Sequence, residues 1–131
     1  MLPLLRVSES IKVVSTSDPS VKVSKKEREV PQWIPAEGAK TNADCLFATV
    51  RALSSSEVLR AQSVVSRNPA TADAELTIQA ARLGTVGFTG PGLQATEPEE
   101  VRGILERLSP ADLAGLGGFI LRQSLLPVDP T

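Results

Sequence analysis

Helix-start signals recur through the second half of the chain and constrain its fold more than any other sequence feature. In a capping box, a side chain at the helix start and one three residues later each satisfy a free backbone N–H. Three pairs have this spacing: Ser54 with Glu57, Thr96 with Glu99, and Ser109 with Asp112. A fourth start is predicted after Pro69, with Thr71 as the cap. The chain beyond residue 53 is therefore predicted to be mainly helical.

Apolar residues follow each start at helical spacing. The clearest stripe lies at i, i+3, i+4 and i+7, and consists of Val101, Ile104, Leu105 and Leu108. The last helix is lined by Leu113, Leu116, Phe119 and Ile120. Residues 85–92 are rich in glycine and proline and predict a loop. Four short helices with short connections predict a small four-helix bundle.

The glycines of the last predicted helix, Gly115, Gly117 and Gly118, have two interpretations. Each weakens a helix by about 1 kcal/mol relative to alanine. They also allow a close helix crossing, because a glycine has no side chain to keep a neighbour away.

The first half of the chain has a different composition. All five lysines lie within residues 1–40. Short strands are predicted at residues 11–14 and 21–23, with a turn at Asp18-Pro19-Ser20 between them. Residues 46–53 alternate as a strand does, and we expect that strand to pair with part of the N-terminal segment.

The predicted fold class is α+β, mainly α. Residues 1–45 are expected to form an extended N-terminal arm with short β-strands. Residues 46–131 are expected to form a strand followed by the four-helix bundle.

Composition disfavours several classes of function. The chain has no histidine, which removes the usual side chain for proton transfer near neutral pH and the commonest metal ligand. Its single cysteine, Cys45, has no such base to activate it and favours a reducing compartment. The formal net charge of -1 does not favour nucleic-acid binding. No enzyme activity, cofactor or metal is expected.

The charged and glycine-rich segments have plain structural interpretations. Glu97, Glu99 and Glu100 lie at a helix start, where the helix dipole favours acids. Residues 84–92 lack the spacing of a phosphate-binding loop. The positive charge of residues 22–28 is partly offset by acidic neighbours, and that segment has no aromatic residue to stack on bases.

Trp33 is the strongest candidate for a binding residue. A single tryptophan on an extended, proline-flanked segment is a good anchor into a pocket on a partner. The equally weighted alternative is that Trp33 pins the arm to the protein's own helices. On the arm, the candidate protein-binding residues are Trp33 and its neighbour Ile34.

Three stretches carry a resemblance to a known family. The first contains Asp18-Pro19 and the charged segment 25–29, the second is the strand and helix start of residues 47–57, and the third is the closing pair of helices within residues 101–126. Their order resembles a group of tailed-phage proteins described as tail assembly chaperones.

The resemblance implies a partner and a location. The partner would be the phage tape-measure protein, kept soluble in the host cytoplasm while tail-tube subunits polymerise around it. The contact surface that the resemblance implies is the apolar positions of the bundle, with the arm as a second contact. The candidate protein-binding residues of the bundle are Val101, Leu105, Leu116, Phe119 and Ile120. The apolar runs are far shorter than the roughly 18 residues that span a bilayer, so no membrane association is expected. The long proline-bearing arm supports an alternative, a structural virion component at the capsid or head–tail junction that contacts neighbouring subunits. Both interpretations are compatible with a homo-oligomer.

Overall fold

The computed structural model describes residues 10–25, 32–37, 39–41, 45–65, 68 and 70–125. The strands are β1 (Ser10–Ser15), β2 (Val21–Lys22), β3 (Trp33–Pro35), β4 (Lys40–Thr41), β5 (Phe47–Arg51), β6 (Thr85–Gly90) and β7 (Leu93–Ala95). The helices are α1 (Ser55–Ser63), α2 (Ala72–Gly84), α3 (Pro98–Arg107) and α4 (Pro110–Leu125). None of these helices, in the described ranges, combines the length and apolar character needed to cross a membrane.

A five-stranded antiparallel sheet in the order β3-β1-β5-β6-β7 is the centre of the fold. Val13 of β1 lies opposite Ala48 of β5, which in turn lies opposite Phe88 of β6. The predicted pairing of residues 46–53 with the N-terminal segment is confirmed. The predicted four-helix bundle with short strands is wrong, because the helices bury their apolar stripes against this sheet as well as against one another.

The alternation of side chains along the strands creates two apolar layers. Val13 and Phe88 lie on the face that packs with Ile120 and the other buried helical residues in the main core. Val14, the next residue of β1, belongs to a smaller cluster with Val21 of β2. Strands β2 and β4 pair with each other over that second cluster. The main sheet is therefore covered by helices on one side and by a small two-stranded sheet on the other.

The prediction of a loop at residues 85–92 is wrong. These residues form β6 and the turn into β7. The glycines permit this hairpin: a Cβ at Gly87 would lie only 3.1 Å from the carbonyl oxygen of Ala95, and Gly92 has a φ of +66° in the turn. Phe88, between them, is 1 % exposed. A high glycine content predicts irregular structure, but here the glycines allow close strand pairing and a tight turn.

Helix α4 crosses close to α2 at Gly117. A Cβ at Gly117 would overlap the carbonyl oxygen of Thr77 in α2, whereas a Cβ at Gly118 would meet nothing within 4 Å. A second close approach places Ile120 against Gly84 at the end of α2. Of the two interpretations of these glycines, the close crossing applies to Gly117.

Two of the predicted helix starts are confirmed, the first with both hydrogen bonds of its capping box and the second with the serine bond alone. Ser54 Oγ accepts a hydrogen bond from the backbone N–H of Glu57, and the Glu57 carboxylate accepts one from the N–H of Ser54. Ser109 Oγ accepts from the N–H of Asp112 at 3.1 Å. These caps fix where α1 and α4 begin.

The start of α3 differs from its prediction by one residue. The capping pair is Glu97 with Glu100, rather than Thr96 with Glu99. Pro98 occupies the first helical position, where its lack of an N–H costs nothing. The proline therefore sets the register of the helix start.

Candidate functional site

The residues predicted to bind a partner lie almost entirely inside the protein. Their exposed fractions are 5 % or less, apart from the half-buried Ile34 on the other side of the sheet. The buried set is Trp33, Val101, Leu105, Leu116, Phe119 and Ile120. All six belong to the core cluster between the helices and the sheet. In this conformation they hold the two layers together.

Trp33 joins the N-terminal segment to helix α4. Its indole is 2 % exposed, and its Nε1–H donates to the carbonyl oxygen of Asp112 at 2.8 Å. This contact is the one expected if Trp33 pins its segment to the protein's own helices.

Asp112 is the centre of that junction. Its carboxylate accepts hydrogen bonds from Ser15 Oγ at 2.8 Å and from Ser17 Oγ at 2.8 and 3.0 Å. The carboxylate was predicted to complete the cap of α4, but the two serines of the β1 end hold it instead. We call Ser15, Ser17, Trp33 and Asp112 the α4 junction.

Arg51 and Glu57 form a two-point ion pair between β5 and α1. The guanidinium donates to the two carboxylate oxygens at 2.8 and 2.6 Å and also reaches the carbonyl oxygen of Leu83 at 3.2 Å. The hydrogen bonds from Arg51 lower the pKa of Glu57 to about 2. The pair ties α1 to the end of α2 and stays charged at neutral pH.

Cys45 is a structural residue. It is 1 % exposed, and burial, together with the negative charge of Asp18, raises the pKa of its thiol to about 11. A thiol that remains protonated at neutral pH is a poor nucleophile. Among the described residues, no group of three or more His, Cys, Asp or Glu side chains is placed to hold a metal ion.

A surface cleft of about 370 Å³ opens where the end of α2, the start of β6 and helix α3 meet. We call it the arginine cleft. Its lining includes Arg82, Leu83, Thr85, Val101, Arg102 and Leu105. Within the described part of the chain, neither arginine has an ion-pair partner.

Thr85 is an unsatisfied polar residue in the wall of the arginine cleft. The residue is 6 % exposed, and its hydroxyl oxygen is buried without a hydrogen-bond partner in the described structure. Buried hydroxyls nearly always have a partner, because losing water without a replacement is unfavourable. The cleft thus combines positive charge, apolar walls and an unmet hydrogen-bonding group.

Sequence reasoning missed this cleft. Arg82 and Arg102 lie twenty positions apart on different helices, and the sequence pattern predicts a loop at Thr85. The available signal was the pair of arginines near the end of one helix and the start of the next. Without the β6–β7 hairpin, nothing in the sequence brings those two positions together.

The most exposed apolar side chains of the described residues lie outside the arginine cleft, although Val86 in its lining is 39 % exposed. Leu59 on α1 is 66 % exposed and Val64, at the end of α1, is 59 % exposed. On the same helix, Val58 and Ala61 are buried. Helix α1 therefore has apolar residues on both its core-facing and its solvent-facing sides.

Comparison of the chain with protein-family models, curated proteins and solved structures found no match.

Proposed function

We propose that this is a non-catalytic protein-binding protein, and specifically a phage tail assembly chaperone that keeps the tape-measure protein soluble in the host cytoplasm. The order of sequence features that resembles this class supports the proposal. The absence of histidine and the protonated state of Cys45 at neutral pH also favour binding over catalysis.

The exposure of Leu59 and Val64 is the observation that carries the proposal. They are the most exposed large apolar residues in the described structure. Covering apolar side chains that face water lowers the free energy of the system, and this favours binding to a partner. An amphipathic helix of the tape-measure protein would cover these side chains with its own apolar face.

The proposal is tested by co-expression with the tape-measure protein of the same phage. The variant Leu59→Ser/Val64→Ser should lose most of the client from the soluble fraction and keep the wild-type thermal midpoint, because both side chains are largely in water. The matched control is Arg60→Ser/Gln62→Ser, which changes exposed polar residues of the same helix. Equal client recovery by the two variants contradicts a role for Leu59 and Val64.

The alternative function, a structural virion component, is distinguished from a chaperone by whether the protein is found in finished particles. Mass spectrometry of purified particles and of the infected-cell lysate measures where the protein resides. A chaperone is abundant in the lysate and missing from particles, whereas a structural component has a fixed copy number in particles. The alternative depended on a free arm, and β1 and β3 of that segment instead pair within the protein's own sheet.

A further inference from the structure

We propose that the arginine cleft binds a small organic carboxylate that carries an apolar body of a few carbon atoms. This activity goes beyond protein binding and uses a different surface from Leu59 and Val64. The proposal rests on the charge of the cleft, its apolar wall and one buried hydroxyl.

Charge selects an anion. Arg82 and Arg102 line the cleft from two different helices, and no acidic residue is among the described residues that line it. Both guanidiniums keep their donors available, since neither has an ion-pair partner in the described part of the chain. Guanidinium groups match the planar geometry of a carboxylate, and charge-assisted hydrogen bonds of this kind are among the strongest in proteins.

The apolar wall selects the remainder of the ligand. The apolar lining that water reaches comes from Leu83, Val86 and Pro98, of which Val86 is 39 % exposed. Its volume of about 370 Å³ lies in the lower part of the range of small-molecule sites. A simple inorganic anion would leave these apolar side chains in contact with water, so an anion with a hydrocarbon part uses the cleft more fully.

Thr85 supplies the polar contact that orients the ligand. Its hydroxyl has no partner in the described structure, and Thr85 lines the same cleft as the two arginines. Because its oxygen is buried, the Thr85 side chain must rotate toward the cleft before a carboxylate oxygen can accept the missing hydrogen bond. The protein then bears the unfavourable burial of this hydroxyl only when the cleft is empty.

The probe for the experiment is sodium hexanoate, followed in ¹H–¹⁵N correlation spectra of the full chain. We expect saturable shifts of the amides at residues 82–86 and 101–105. Hexanamide, which has the same hydrocarbon part without charge, and inorganic phosphate, which has charge without hydrocarbon, should each bind at least about tenfold more weakly.

Three variants separate binding from folding. Arg82→Gln/Arg102→Gln should weaken hexanoate binding about tenfold or more. The control is Arg107→Gln, which changes an exposed arginine that shares helix α3 with Arg102 but does not line the cleft, and it should leave hexanoate binding unchanged. Thr85→Val keeps the shape of the side chain and should also weaken hexanoate binding. All three should give dispersed spectra of a folded protein.

Several results overturn the proposal. Shifts that do not saturate, or that Arg107→Gln reduces as much as the double variant does, mean that hexanoate acts as a non-specific anion. Phosphate binding as tight as hexanoate means that the apolar wall plays no part. A peptide ending in Leu-Glu that shifts the same amides at a lower concentration than hexanoate reassigns the cleft to a protein partner.

Discussion

Helices α3 and α4 are neighbours in the sequence but are held in place very differently. Helix α4 crosses α2 without intervening side-chain atoms at Gly117, and at its start the polar groups of Ser15, Ser17 and Trp33 all bond to Asp112. Helix α3 instead borders a cleft whose wall holds an unpartnered hydroxyl, that of Thr85. The comparison shows where this small protein is rigidly built and where it has polar groups available for a ligand.

The largest loss of stability should come from Trp33→Ala. The indole is 2 % exposed in the main core, and truncating a buried tryptophan costs about 3–5 kcal/mol. Urea unfolding followed by circular dichroism measures the change. Trp33→Phe keeps most of the apolar area and loses the hydrogen bond to Asp112, so it should cost clearly less. A Trp33→Ala protein as stable as the wild type would contradict the junction as the anchor of α4.

The next effect should come from Gly117→Ala. The new methyl group would overlap the backbone of Thr77, so α2 and α4 must move apart, at a cost of about 2–3 kcal/mol. Gly118→Ala is the matched control on the same helix, where the added methyl meets open space and should stabilise by about 1 kcal/mol. Thermal unfolding of the two variants should therefore shift in opposite directions. Shifts in the same direction would show that the crossing is not close.

Acid should weaken the link between α1 and the sheet. The pKa of Glu57 in the folded protein is about 2, below its ordinary value of 4.5. A lowered carboxylate pKa gives stability that is fully present above pH 4.5 and is lost as the pH falls toward 2. For a partly exposed pair this contribution is about 1.5 kcal/mol. Glu57→Gln, which keeps the capping box, should lose that part of the pH dependence in urea unfolding. An unchanged pH dependence would show that the ion pair adds nothing.

The smallest predicted effect has the opposite sign. Thr85→Val removes a buried hydroxyl that has no partner and should stabilise the ligand-free protein by about 1 kcal/mol. The control is Thr77→Val, because the Thr77 hydroxyl donates to the carbonyl oxygen of Ala74 and its loss gives no such gain. If Thr85→Val lowers the stability in urea unfolding, the Thr85 hydroxyl has a hydrogen-bond partner in solution. The contrast drawn above between the surroundings of α3 and α4 would then not hold.

Local sequence signals predicted the elements better than their arrangement. The Ser54 cap and the alternation of residues 46–53 identified α1 and β5, because capping and period-two patterns depend on residues close in the chain. The hairpin around Gly87 and Gly92 was missed, since a glycine that permits close strand pairing looks the same in sequence as one that ends a strand.

The binding surfaces were the least predictable part. Val101 and Leu116 are predicted contacts because they are apolar positions of the expected bundle, but such positions are also what a helix buries against its own sheet. The arginine cleft depends on Thr85 being placed between two helices, which no local pattern encodes. The exposure of Leu59 likewise follows from which side of α1 the sheet occupies.

The α4 junction also determines when the protein can finish folding during its synthesis. Ser15 and its hydrogen-bond partner Asp112 are 97 positions apart. The ribosome therefore makes β1 long before the residue that completes its polar contacts has left the exit tunnel. Strand β1 pairs with β3 and β5, which emerge earlier, but the tryptophan-bearing edge of the sheet stays uncovered until α4 is made. Contacts between distant parts of a chain slow folding, and the contacts of β1 and β3 with α4 can form only after the intervening strands and helices have been made.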